Sequence, residues 1–300
     1  MRKAFQSEVS ALLNARGMRS PNEILLFDSL LNLMINQFSN INVGRLHGTS
    51  HLVTFKNSVN QARANANCEL CDLLIVVFSH DEIRMTFHQS KYDLKLNERN
   101  IYQNGKIKAK LSRCDVEQWE LLAKRPILIT KGNVSKFNPP VKLLSSALNP
   151  SVGSYGVFYR NISKEYDLFY SIAEDLILRQ AMYKSKKGSF RSNQLGCSLH
   201  DAVTVKGVKS SFVHSCLHID TFFDCLLNFC IGTPLVQNGA VVDLYRLSWL
   251  KSLLSVRQDD VEALDGLNKI LSELLVDDFH DESGGISNIV LIEVRNRSVF

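Results

Sequence analysis

Asp72, Gln89 and Lys91 are a carboxylate, an amide and an ammonium that the local sequence can bring together. Such a trio could hold a hard divalent cation through oxygen and steady negative charge on a bound group. The reason to expect convergence lies in Cys68–Lys91. An unbroken apolar run, Leu73–Phe78, is followed by a polar break, Ser79–Glu82. Beyond it Ile83, Met85 and Phe87 alternate with Arg84, Thr86 and His88. A continuous apolar run followed by period-two alternation predicts two neighbouring strands, the first more buried than the second. With the turn centred between His80 and Asp81, Asp72 stands across from Gln89, Cβ atoms about 4.5–5.5 Å apart. Lys91, two residues on, leaves the same face of its strand.

This arrangement resembles the active site of the PD-(D/E)XK, or restriction-endonuclease-like, nuclease superfamily. The family pattern is an acid opening one strand and acid-x-Lys closing the next. Asp72 matches the first acid and Lys91 the lysine. Gln89 stands where Glu or Asp is usual, as in some branches of the superfamily, and Cys71 replaces the proline of the name. The resemblance covers about the first 130 residues. It implies a restriction-endonuclease-like α/β core: helix, three strands, helix and strand, as a mixed sheet flanked by helices. It also implies Mg²⁺, with Mn²⁺ as a substitute, held by Asp72, Gln89 and the Ser90 carbonyl, with Lys91 stabilising the phosphate. The activity implied is cleavage of nucleic acid, DNA ahead of RNA, in a bacterial restriction or antiphage setting.

In that family the first core helix often contributes another acid, and Glu23 is the matching residue. Ser20-Pro21-Asn22-Glu23 also spells a capping box, with Ser20 as N-cap and Glu23 merely capping its own helix. Both readings stand at this level, and Glu69 is a further possible acid. Two plainer alternatives accompany the enzyme. Asp72 and Lys91 could form an ordinary cross-strand ion pair, contributing at most about 1 kcal/mol. Alternatively, Gln89, one charge short of the common pattern, fits a non-catalytic nuclease-fold subunit that binds nucleic acid or scaffolds a complex.

The elements that must position these groups follow from capping and periodicity. Helices are expected over Ser7–Arg16, ended by Gly17, over Ile24–Phe38, and over Asp115–Lys124. Strands are expected at His51–Lys56 and Pro126–Thr130. The second of these, following a crossover helix, should run parallel to the motif strands. Pro139, Pro140 and Pro150 mark a connection. It divides a nuclease-like core, 1–135, from an α/β extension, 150–300, which serves specificity or partner contacts and can pack with the core as one domain. The extension reads as a strand at Tyr155–Arg160, a helix at Tyr166–Tyr183, and a basic loop with Lys184, Lys186, Lys187 and Arg191. Helices at Ser215–Ile231, Leu244–Leu254 and Asp259–Val276 and a strand at Ser287–Arg295 complete it.

Composition narrows the partners. Lys plus Arg exceed Asp plus Glu by 35 − 30 = 5, which suits a polyanion without requiring one. Lys95, Arg99, Lys106, Lys108, Lys110 and Arg113 face only Glu98 between them, a candidate nucleic-acid-binding run directly after Lys91. The N-terminus lacks an apolar signal core and no run is long enough to span a bilayer, so a cytoplasmic protein without membrane contact is expected. Seven scattered cysteines fit reduced thiols there. Cys68-x-x-Cys71 has zinc spacing but no second cysteine pair, and His214-x-Cys216-x-His218 is a poor complement. A protein partner or a homo-oligomer is compatible with the sequence.

Overall fold

The computed structural model describes residues 1–37, 41–45, 52–59, 63–97, 102–103, 106–107, 110–129, 139–179, 187–192, 200–205, 208–255, 262–275 and 288–294. The chain is α/β, built on a nine-stranded mixed sheet. Its path runs β1 (Ile41–Arg45), β19 (Asn288–Glu293), β4 (Leu73–Phe78), β5 (Ile83–Asn97), β10 (Gly153–Arg160), β11 (Tyr166–Ile172) and β16 (Ser215–Cys216). A hairpin of β17 (Thr233–Gln237) and β18 (Ala240–Val241) joins the start of β5. Neighbours are antiparallel except β19 with β4 and β5 with β10, which are parallel.

The two faces of the sheet are covered by different helices, because alternate residues of each strand point opposite ways. On one face Leu74, Val76, Met85, Phe87, Tyr155 and Val157 pack under α3 (Val116–Lys124), α5 (Leu244–Ser255) and α6 (Glu262–Leu274). On the other, Leu73, Ile75, Val77, Phe158 and Tyr170 pack under α1 (Arg2–Ala15), α2 (Glu23–Gln37) and α4 (Ile219–Leu227). This explains why β4 is apolar throughout: all six of its residues are buried, three per layer. His88, on the second face, is fully buried against Tyr170, and burial drops its pKa to about 3, so it is neutral. A Cβ on Gly156 would lie 2.5 Å from its Nε2, so only glycine lets β10 approach that ring.

Smaller sheets decorate this core. β2 (Leu52–Lys56) lies between β3 (Asn65–Glu69) and β9 (Leu128–Ile129), and β13 (Lys187–Ser192) lies between β12 (Leu176–Arg179) and β8 (Lys110–Asp115). Two hairpins, β6 (Tyr102–Gln103) with β7 (Lys106–Ile107) and β14 (His200–Val205) with β15 (Val208–Val213), complete the strands.

Four sequence expectations are corrected. The strand parallel to β5 is β10, not the 126–130 segment. Within that segment Ile127 and Ile129 are exposed, and Leu128–Ile129 pairs antiparallel with β2. Residues 166–179 do not form the expected helix, and 180–183 lie outside the described residues. Tyr166–Ile172 is a strand buried on both faces, followed by a 3-10 turn at Ala173–Asp175 and β12. Lys187 and Arg191 belong to β13 rather than to a basic loop. Finally, Asn22 rather than Ser20 caps α2, its Oδ1 accepting from Leu25 N at 2.9 Å. The sheet also crosses the expected 135–150 division, since β4 and β5 lie between β19 and β10.

Candidate active site

The site forms where β5 outruns β4. The two strands pair from Phe78↔Ile83 to Leu73↔His88, which puts Asp72 across from Gln89. The last rung is Asp72 N donating to His88 O at 3.1 Å. From there β5 continues to Asn97 along β10, with Tyr155 beside Gln89 and Val157 beside Lys91.

Beyond β4, two side-chain carboxylates take over the hydrogen bonding of the β5 edge. Asp72 Oδ2 accepts from Ser90 N at 2.8 Å and also from Gln89 Nε2. Glu23 Oε2 accepts from Tyr92 N at 3.1 Å, while its Oε1 lies 3.3 Å from Lys91 Nζ. Ser90 and Tyr92 are alternate residues, so the acids occupy successive N–H positions along one edge. Glu23 reaches it because Asn22 does the capping. As the first residue of α2, Glu23 is released from its own helix and points to the strand. The helical reading of Glu23 as its own cap is therefore replaced by a tertiary role.

The electrostatics are those of a partly dehydrated acid cluster. Burial raises the Asp72 pKa above its usual value; Lys91 nearby and hydrogen bonds from Ser90 and Gln89 pull it back. The Lys91 side chain is 15% exposed and Glu23 43%, so the ammonium sits largely out of water with one oxygen partner in reach. Gln89 is buried, and its Oε1 has no hydrogen-bond partner among the described residues. Buried polar atoms are nearly always satisfied, so this oxygen points to a ligand or water. The Tyr155 hydroxyl, on the paired strand position, is likewise buried and lacks a hydrogen-bond partner among the described residues.

Burial first, then Asp72 and Glu69, pushes the Cys71 thiol well up, which rules it out as a thiolate nucleophile at neutral pH. Glu69 closes β3 opposite Leu52. Ser90 contributes its N–H to Asp72. Arg113 is exposed on β8. The side chains of Lys95, Lys106 and Lys110, and all of Arg99 and Lys108, lie outside the described residues. Zinc finds no cluster: among the described residues no three His, Cys, Asp or Glu side chains gather to hold a metal. His214 is bonded to Asp175 at 2.6 Å and His218 to Asp167 at 3.0 Å instead. None of the six described cysteines is in a disulfide.

The donor chemistry nevertheless fits a hard cation. Asp72 and Glu23 supply carboxylate oxygens and Gln89 a buried amide oxygen in want of a partner. Sequence reasoning missed Tyr155, which the pairing of β5 with β10 sets beside Gln89, and Tyr92, whose N–H meets Glu23. The signal for Tyr155 was the strand at Tyr155–Arg160, legible as site-forming only once that strand is known to neighbour β5. Among the described residues no helix is long and apolar enough to cross a membrane. No protein-family model, curated protein or solved structure matches the chain.

Proposed function

We propose that this chain is a Mg²⁺-dependent nuclease of the restriction-endonuclease-like type, hydrolysing phosphodiester bonds of nucleic acid, with DNA as the proposed substrate. The observation that carries the reading is the meeting of Glu23, Asp72, Gln89 and Lys91, drawn from three separate elements, at one open strand edge. An ordinary surface ion pair needs only two of them and no buried amide. The order α2, β4, β5, α3, β10, with β10 parallel to β5, supports a restriction-endonuclease-like core.

Asp72, Glu23, the Gln89 Oε1 and the Ser90 carbonyl are the groups that would hold Mg²⁺ or Mn²⁺. A divalent ion held by these groups would supply Lewis acidity toward water and a phosphoryl oxygen. Lys91 places its ammonium against the phosphate, where charge builds up as the bond to phosphorus forms. Glu23 orients that ammonium in the resting state, and the half-buried setting of both strengthens the attraction. Gln89, uncharged, lowers the repulsion between the two acids at the cost of one ligand charge. The setting proposed is a cytoplasmic restriction or antiphage system, with residues from 150 onward contributing specificity or partner contacts.

A second reading has its own observation. Gln89 turns its Nε2, not its oxygen, to Asp72, which occupies a carboxylate oxygen a cation would use. That arrangement suits a non-catalytic nucleic-acid-binding or scaffold subunit. The two are separated by incubating purified chain with plasmid DNA and with RNA, in Mg²⁺, Mn²⁺ or EDTA. Cleavage in metal, abolished by Asp72→Ala and by Lys91→Ala in folded protein, is the expected outcome. Gln89→Glu should keep cleavage or lower the metal requirement. If wild type and all three variants are inert on both substrates, the scaffold reading replaces the enzyme.

A further inference from the structure

We propose that Tyr155 is a positioning residue for Gln89. Through one buried water its hydroxyl holds the Gln89 amide with oxygen inward and nitrogen on Asp72, so the amide must turn over before that oxygen can meet a cation. The inference rests on the nuclease reading for its cation, and on the pairing of β10 with β5 for its geometry. Tyr155 lies across from Gln89 in the parallel register, and Ser154 across from His88. Ser154 Oγ lies 3.0 Å from His88 Nδ1 on one face of the sheet, so the next pair, Gln89 and Tyr155, shares the other face. Phe87, Tyr155 and Val157 pack there in one layer with Leu74 and Val76, the residues whose side Asp72 shares. Neighbouring strands stand about 4.7–4.9 Å apart, a separation that one water between the two side chains can bridge.

The chemistry at both ends of the amide selects one orientation. Gln89 is 2% exposed and Tyr155 0%, and among the described residues neither Gln89 Oε1 nor the Tyr155 hydroxyl has a hydrogen-bond partner. Two buried polar atoms in that condition on adjoining strands are satisfied together by one internal water. The Tyr155 ring packs on Phe190, tilted by 60° with 5.0 Å between centroids, which restrains its hydroxyl. Burial first, then Cys114, Cys68 and Asp72, push the phenol well above its usual pKa, so it keeps its proton. An amide has an accepting oxygen and a donating nitrogen, whereas an ionised carboxylate only accepts. Asp72 Oδ2 takes Gln89 Nε2 and Ser90 N, which leaves Oε1 facing inward. Turned over, the amide would set Oε1 against a carboxylate oxygen, two acceptors with no proton between them. A cation between the two makes that orientation favourable, and Tyr155 adds to the cost of reaching it.

The test uses the full chain and reads the amide and the cation separately. In metal-free ¹⁵N-labelled protein, the Gln89 side-chain NH₂ signals are assigned by their loss in Gln89→Met. Their exchange with water should be several-fold faster in Tyr155→Phe, which removes the hydroxyl and keeps the ring on Phe190. In a Mn²⁺ titration followed by the electron spin resonance of the free ion, Tyr155→Phe should bind several-fold more tightly than wild type. In the Gln89→Met background, where no amide can turn, Tyr155→Phe should leave Mn²⁺ affinity unchanged. Urea melts establish that each variant is folded. The proposal is overturned by unchanged amide exchange in Tyr155→Phe. In a chain that binds Mn²⁺, it is equally overturned by an affinity no tighter than wild type, or by the same shift in both backgrounds, which is what a hydroxyl acting independently of Gln89 gives. Amide exchange released by Tyr155→Phe, with no Mn²⁺ binding in any variant, sinks the nuclease reading and leaves the positioning of Gln89 standing. Cleavage lost in Asp72→Ala and Lys91→Ala, with amide exchange and Mn²⁺ affinity both indifferent to Tyr155→Phe, does the reverse.

Discussion

Asp72 carries its charge in a place that penalises it. Burial raises its pKa, and the hydrogen bonds from Ser90 and Gln89 only partly offset this. For an acid whose folded pKa lies above the unfolded one, the native state binds the proton more tightly. Stability is then fully present below the unfolded pKa, near 3.9, and is lost as pH rises through the folded value. Asp72→Asn removes the charge at nearly constant shape. It should raise the midpoint of thermal unfolding at pH 7, and the gain should shrink as pH falls toward the carboxyl range. A variant less stable than wild type at pH 7 would mean the carboxylate is a structural cap on β5 and nothing more. Gln89 shows the same tension in milder form, since a buried amide oxygen without a partner lowers stability unless something binds it.

At the scale of elements, the decisive feature is how α2 begins. Asn22 bonds Leu25 N, so Glu23 is spared for Lys91 and Tyr92. Asn22→Ala should cost about 1 kcal/mol through the lost cap. By fraying the first turn it should also loosen Glu23 from the β5 edge. The expected outcome is a modest fall in urea midpoint together with a drop in cleavage at fixed metal. Asp115→Ala, which removes the cap of α3, is the control. It should lose similar stability and leave chemistry almost untouched. Equal effects of the two on activity would detach α2 from the site. The strand β5 has a matching division of labour: its first half is core, and its second half offers an edge that β4 does not cover.

The whole molecule closes through its C-terminal half. β4 is flanked by β19 and β5 by β10 and β17, so both motif strands have neighbours from beyond residue 150. One hydrophobic layer joins Val76 and Phe87 to Trp249, Leu267 and Leu291. A fragment ending at 135 would leave both strand edges and that layer open to water. It should show no cooperative urea transition and no dispersed amide spectrum, whereas the full chain shows both. A fragment that unfolds cooperatively would establish the first 135 residues as an independent domain.

Local physics determined the pairing of Asp72 with Gln89. An apolar run, a polar turn of fixed length and an alternating run admit one register that buries both strands, and a one-residue slip would turn every core side chain outward. The same locality placed α3, α5 and α6, whose residues cap or repeat at helical spacing. Tyr166–Ile172 defeated that logic because it is buried on both faces, Asp167 and Ser171 included, so its sequence carries no clean period to distinguish strand from helix. Which short apolar segment lies parallel to β5 was likewise undetermined. Pro126–Thr130 and Tyr155–Arg160 both read as strands, and only long-range packing seats the second in the sheet. Glu23 shows the limit most clearly. The spelling around it satisfied a local cap, but the chain caps with Asn22 and sends the acid across to Lys91, because a half-dehydrated ammonium and the N–H of Tyr92 lacked a partner there. That demand exists only once β5 has outrun β4, so it belongs to the tertiary structure and not to any stretch of sequence.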